Sequence, residues 1–136
     1  MANQTIPESH LALFERPVIG NLATLLPDGL IQVNPVWVDY DGTYVRFNSA
    51  QGRQKDKNLK KNGIATMLLV DPENAYYWIE IRGRVVDITT EGADAHIDSL
   101  AKKYLGADTY PFRKASEVRL TYKIQPERVN AFGPQG

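Results

Sequence analysis

Five basic side chains crowd into one short stretch, Phe47–Asn62, which reads FNSAQGRQKDKNLKKN. Arg53, Lys55, Lys57, Lys60 and Lys61 stand there against a single acid, Asp56, in a chain whose formal net charge is zero. The positive charge is therefore local. An apolar strand that runs into a glycine-containing turn and then a helix start offers unpaired backbone N–H groups and the positive end of a helix dipole. Such a place suits an anion, above all a phosphate. Arg53 adds a planar fork of donors and Lys55 a point charge. At helical spacing Lys55, Asn58, Leu59 and Asn62 share one side, and apolar Leu59 turns that side towards the protein. Lys57, Lys60 and Lys61 then face water. The plain alternative is a solvated, charged surface helix. The strand–turn–helix setting, with Ser49 and Gly52 in the turn, favours the phosphate.

Little else in the chain promises chemistry. The absence of cysteine removes disulfides, thiolate catalysis and cysteine metal sites, and is compatible with a reducing cytoplasm. His10 and His96 lie far apart without metal-ligand spacing, so both are expected to be structural or superficial. No G-x-S-x-G, H-E-x-x-H or P-loop pattern occurs. No catalytic residue and no metal ligand is assigned. Tyr76, Tyr77 and Trp78 are consecutive aromatics on a strand, so at least one packs inward while its neighbours point the other way. Trp37 is expected in the core.

The elements that must hold the basic turn follow from pattern and punctuation. Thr5-Ile6-Pro7-Glu8 reads as a capped helix start, with the helix running to Glu15 and stopping before Pro17. Val18–Leu26 is a strand closed by the turn Pro27-Asp28-Gly29. Leu30–Tyr40 is a second strand, with Pro35 marking an edge, a bulge or a bend. Asp41-Gly42 turns the chain into a third, Thr43–Asn48. After the basic helix come the strands Ile64–Val70 and Ala75–Ile88, the latter bent or bulged at Gly83. A helix over Thr90–Tyr104 leans on Ala95, Leu100, Ala101 and Tyr104 and ends at Gly106. A loop, Ala107–Ser116, precedes Glu117–Gln125, with Val118, Leu120, Tyr122 and Ile124 inward and Arg119, Thr121 and Lys123 outward. A short strand, Arg128–Phe132, follows Pro126.

At 136 residues, 43% hydrophobic and 24% charged, the chain suits a single soluble domain spanning residues 1–136. Balanced charge argues against a general nucleic-acid or membrane role. The N-terminus lacks a secretory pattern, and no stretch has membrane-spanning length. Six or seven strands joined mostly by hairpin-scale links imply an α+β fold, a largely antiparallel small barrel that manages its own edges.

The run NLATLLPDGLIQVNPVWVDYDGTYVRFNSAQGRQKDKNL, the later AYYWIEIRGRVVDI and the late QPERV resemble the pyridoxamine-phosphate-oxidase-like flavin and deazaflavin oxidoreductases. The likeness covers roughly residues 10–132 and is nearest to the small branch dependent on coenzyme F-420, an 8-hydroxy-5-deazaflavin. It implies a split β-barrel homodimer with two cofactor sites, each built from both subunits. The phosphate-binding positions fall on Asn48, Ser49, Arg53, Lys55 and Asn58. Gln32, Asn34, Pro35 and Val36 match the strand along the ring system, and Tyr76, Tyr77 and Trp78 match a segment that approaches the ring from the partner. The oxidase proper carries adjacent Arg-Lys at the phosphate turn. Here Gln54 intervenes, which counts against oxidation of pyridoxamine phosphate itself.

The resemblance implies a cytoplasmic oxidoreductase that transfers a hydride between reduced F-420 and an unsaturated small molecule. The lack of an acid/base constellation agrees with this, since such a cofactor carries the chemistry and the protein supplies position and dryness. FMN is the alternative cofactor, with a related FMN oxidoreductase or a non-catalytic flavin-binding protein as the alternative functions. A small barrel that binds single-stranded nucleic acid through the basic helix is a further class, disfavoured by the zero net charge.

Overall fold

The computed structural model describes residues 4–134. Among them, the strands are β1 (Gly20–Leu25), β2 (Ile31–Val36), β3 (Val38–Tyr40), β4 (Val45–Ala50), β5 (Ile64–Asp71), β6 (Asn74–Thr89) and β7 (Arg119–Phe132). Of the three α-helices, α1 (Ala12–Glu15) precedes the sheet, and α2 (Gln54–Lys61) and α3 (Ala93–Leu105) connect strands. All pairings are antiparallel, in the order β2-β1-β5-β6-β7-β4-β3.

That order has a geometric consequence. The two edge strands, β2 and β3, are separated in sequence by Trp37 alone. One residue spans under ~4 Å of chain, so the sheet must curl until its edges nearly meet. The expected small α+β barrel is thus a curled seven-strand sheet. Pro35 sits on an edge strand, where its missing N–H costs no central ladder bond. The single strand expected over Leu30–Tyr40 is instead two, broken at Trp37 as the chain passes from one edge to the other.

The interior of the curl is apolar. Phe47 and Tyr122 stack with ring centroids 4.6 Å apart, among buried Val38, Val45, Met67, Leu69, Ile79, Ile81 and Ile124. Leu59 reaches this core from α2, which is the face expected to dock. The longest pairing, β6 with β7, shifts register between Arg82 and Gly83, at the expected bulge. Gly83 lies opposite Pro126 there. A proline is tolerated at an interrupted ladder, so β7 runs unbroken through Pro126 rather than as two strands.

Two other expectations change. Thr5 caps nothing: a 3-10 turn at Glu8–His10 precedes a four-residue α1, and no side chain caps either. Pro7 is extended at ψ 142° and Arg16 at ψ 160°, so the helical backbone is confined to the few residues between them. In α3 the buried residues are Ala93, His96, Ile97, Leu100 and Ala101, and Ala95 is exposed. Gly106 ends the helix in the left-handed conformation, as expected.

Arg119 and Thr121 do not point into water but are buried, while Val118 is exposed. The cause is α3, which packs on the outer face of β7 and leaves both faces of that strand covered. His96 is the hub of this contact. Its Nε2 lies 3.0 Å from Asp39 Oδ2, and its Nδ1 lies 3.3 Å from Asn48 Nδ2 and 3.1 Å from Thr121 Oγ1. With the Nε2 proton given to the carboxylate, Nδ1 is left to accept from its two neighbours. Asp39 also takes a two-pronged bond from Arg46.

Candidate functional site

The basic turn is held from below by Asp56. Its buried carboxylate accepts from Gly52 N at 2.9 Å, from Tyr122 Oη at 2.6 Å and from Lys60 Nζ at 3.0 Å. Gly52 itself has φ +91°, a conformation that favours glycine, with open space where a Cβ would be. The turn N–H groups of Gln51, Gly52 and Arg53 are therefore already used, and among the described residues no side chain caps the start of α2. Burial pushes the Asp56 carboxyl up, but the bonds from Gly52, Tyr122 and Lys60 outweigh it and hold the group below its ordinary range. The sign follows directly. A carboxylate depressed in the folded state adds stability that is full above its unfolded value, ~3.9, and is lost as pH falls through the folded value. Acid titration followed by circular dichroism is expected to show a loss of stability below about pH 4 that Asp56→Asn makes shallower.

Above this anchor lies a cleft of about 310 Å³. Arg53, Lys55, Asn48, Pro35 and Val36 all line it, together with Trp37, Ile97, Tyr110, Phe112 and Arg119. The β2–β3 corner forms one wall, α2 and its turn the cationic end, and Tyr110 and Phe112 from the loop after α3 another wall. Trp37 is thus not a core residue. It is half-buried at the cleft, stacked on Tyr104 at 5.3 Å and edge-on to Tyr110 at 6.0 Å, because the chain turns at that residue and leaves it at the seam.

Arg119 is the residue that sequence reasoning missed. It is 94% buried (6% exposed), its Nε donates to Asn48 Oδ1 at 2.9 Å, and its guanidinium lies over Tyr110 at 5.1 Å. Asn48 in turn donates to Ala93 O at 2.9 Å, so the barrel strand, the helix and the arginine are one unit. Three cations, Arg53, Lys55 and Arg119, thus border the same cleft. Burial first, then the adjacent Arg53 and Arg119, push the Lys55 ammonium below its ordinary range. An incoming anion would relieve that repulsion.

The remaining expected residues lie elsewhere in this subunit. Asn58 is buried between α2 and the β1–β2 hairpin, donating to Thr24 Oγ1 at 3.0 Å and accepting from Gln54 Nε2 at 2.8 Å. Gln32 is 3.4 Å from Asn58, and Asn34 lies on the same side of β2, both half-buried. Ser49 is buried, and its hydroxyl has no hydrogen-bond partner among the described residues. Tyr77 is in the core, with its hydroxyl on Ser9 O at 2.6 Å. Tyr76 is exposed, and Trp78 stacks on Phe132 at 6.0 Å on the outer sheet face. None of these three aromatics lines the cleft of its own chain.

A sequence profile described as pyridoxamine 5'-phosphate oxidase matches residues 6–133. The chain belongs to that family. Within its fold, a solved structure named F-420 reductase is 35% identical, covering 92% of this chain and 98% of its own, with TM-score 0.81. The expected likeness to the F-420 branch rests on this neighbour. HupZ of Group A Streptococcus is 21% identical, covering 93% of each chain, with TM-score 0.67. General Stress Protein 26 of Bacillus anthracis is 15% identical, covering 94% of each chain, with TM-score 0.69. These last two carry the split-barrel fold alone. No curated protein matches the sequence. Among the described residues, no helix is long and apolar enough to cross a membrane, and no cluster of three metal-ligating side chains occurs.

Proposed function

We propose that this protein is a reductase that uses coenzyme F-420 to transfer a hydride to an unsaturated small molecule. The observation that carries the reading is the convergence of Arg53, Lys55 and Arg119 on one cleft whose other walls are Pro35, Val36, Trp37, Tyr110 and Phe112. A redox ring with an anionic tail has that division of character. The fit is supported by the uncapped start of α2 and by the buried Arg119 Nη1, which has no hydrogen-bond partner among the described residues. Arg53 and Lys55 hold the phosphate, Asn48 fixes Arg119 beside it, and the Pro35–Trp37 corner excludes water from the ring. When bound, the cofactor supplies the hydride. The protein's own contribution is binding, orientation and desolvation, and no side chain is assigned to the reaction itself.

The family name favours FMN as the second reading. Anaerobic titration of purified protein with oxidised F-420 and with FMN, followed by ultraviolet-visible spectroscopy, separates them. F-420 is expected to bind more tightly. Clear preference for FMN reverses the assignment, and tight binding without turnover of enones or quinones points to a carrier.

The reading includes a homodimer. Ile31, Val33, Leu68, Val70, Trp78 and Phe132 share the outward face of the sheet, since directly paired residues point the same way. Ile31 and Val33 are 60% and 62% exposed, an unusual apolar strip for a free surface. Pro35 continues that face to the rim of the cleft, so a second copy seated here would bring its own residues to the site. Sedimentation equilibrium is expected to give a dimer, and a monomer would remove the partner's aromatics from the site.

A further inference from the structure

Glu117, just ahead of β7, sits between two of the three cations. Arg53 Nη2 donates to its Oε2 at 3.0 Å. On the other side Arg119 Nη1 is 3.5 Å from its Oε1, within ionic reach but without a hydrogen bond. Oε1 and Nη1 are both buried, and among the described residues neither has a hydrogen-bond partner. Two buried atoms of opposite charge that face each other without a bond are both poorly satisfied. Lys55 forms no ion pair among the described residues. The cluster therefore holds three cations around one carboxylate that serves only one of them well.

The backbone makes that carboxylate movable. Glu117 lies outside the β4–β7 ladder, which begins at the pairing of Ala50 with Arg119. Its own N–H is bonded to Lys114 O within the loop, and the first cross-strand tie is Gln51 N to Val118 O. Its side chain can leave without breaking a ladder bond. Arg53 is about half exposed along its side chain and can turn with an incoming ligand, whereas Arg119 is fixed by Asn48.

We propose that Glu117 is an internal anion: from beside the cleft it supplies Arg53 and Arg119 with the negative charge that a ligand's phosphate would bring, and it gives them up when a phosphate-bearing ligand enters. This rests on the reading of the cleft as an anion site. A phosphate presents several oxygens and can bond Arg53, Arg119 and Lys55 together, which a single carboxylate held from outside the cleft does not do. Glu117 then sets how strongly the site selects phosphorylated ring ligands. A ligand without phosphate leaves the Glu117 pairs in place and gains nothing from their loss. For a phosphorylated ligand, displacing Glu117 subtracts from the affinity.

The test compares Glu117→Gln with the wild type in calorimetric titrations of FMN, riboflavin and inorganic phosphate. Glu117→Gln is expected to bind FMN and inorganic phosphate about tenfold more tightly, with riboflavin unchanged within about twofold. Unchanged or weaker binding of FMN and phosphate would overturn the proposal and make Glu117 a residue that orients Arg53 instead. Tightening of riboflavin by the same factor as FMN would overturn it as well. Glu117→Ala provides a second removal of the charge, with the same expectations, should the glutamine variant fold poorly. Where the wild type binds neither F-420 nor FMN, the assigned cofactor chemistry fails by itself, and the phosphate titration still decides the role of Glu117.

Discussion

A Gly83→Ala chain is expected to lose about 4 kcal/mol or more of folding stability, a melting point lower by more than about 10 °C, or to give no soluble protein at all. A Cβ at this position would stand 2.1 Å from Gln125 O and 3.0 Å from Gln125 C, both backbone atoms of the adjoining strand. A side-chain tip can rotate away from such a contact. A backbone carbonyl in a ladder moves only with its strand. The bulge at Arg82–Gly83 sits within the longest strand pairing of the sheet, so β6 and β7 would have to separate in the middle of that pairing. Differential scanning calorimetry of Gly83→Ala beside Gly29→Ala gives the contrast. Gly29 lies in an open hairpin turn at φ +88° with nothing near its Cβ, and only the strain of its backbone conformation is at stake there, on the order of 1–2 kcal/mol. Equal losses in the two variants would show that close approach of the strands is not what requires glycine at position 83.

Removing the two leading cations should act on binding and leave the fold alone. Arg53→Gln is expected to weaken binding of the phosphorylated cofactor by ~1.5–3 kcal/mol, roughly tenfold to a hundredfold, and Arg53→Gln with Lys55→Gln by more. Stability should stay within about 1 kcal/mol, because the Arg53–Glu117 pair is substantially exposed on the arginine side and such pairs contribute little. Lys57→Gln is the control. It lies on the solvent side of α2 and is expected to change affinity only slightly and in a salt-dependent way. Titrations at two ionic strengths read both effects. A variant lacking Arg53 and Lys55 that binds as tightly as the wild type would mean that the cleft is not where the phosphate goes.

The sequence pattern carried the fold further than the site. The basic turn, the docking of Leu59, the bulge at Gly83 and the helix stop at Gly106 each follow from a local rule, and each is found in the structure. Arg119 shows where local rules give out. Alternation separates inside from outside only when one face of a strand meets water, and α3 covers the outer face of β7 with His96 and its neighbours. Nothing between Glu117 and Gln125 announces a helix coming back from elsewhere in the chain. Trp37 escaped for a related reason. Read as part of one strand it belongs to an alternating face, and only the sheet order reveals that it joins two strands on opposite margins. Thr5 and Glu8 have the right spacing for a helix cap, but that spacing carries no information on the backbone between them, which is extended at Pro7. Asp56 looked like a lone counter-charge in a basic run. Its bond to Tyr122 depends on a contact 66 residues away.

The seam at Trp37 has a bearing on how this fold can vary. A sheet sewn shut along its whole length would have backbone hydrogen bonds where the cleft now opens, and a ligand would have to compete with them. Here the two free margins are joined by a single residue, and the recess begins beside that joint. Exchanging Trp37 for another large ring or a branched chain should therefore reshape the mouth while the hydrogen-bonded wall behind it stays as it is. A chain of this design can change what it admits without relearning how to fold.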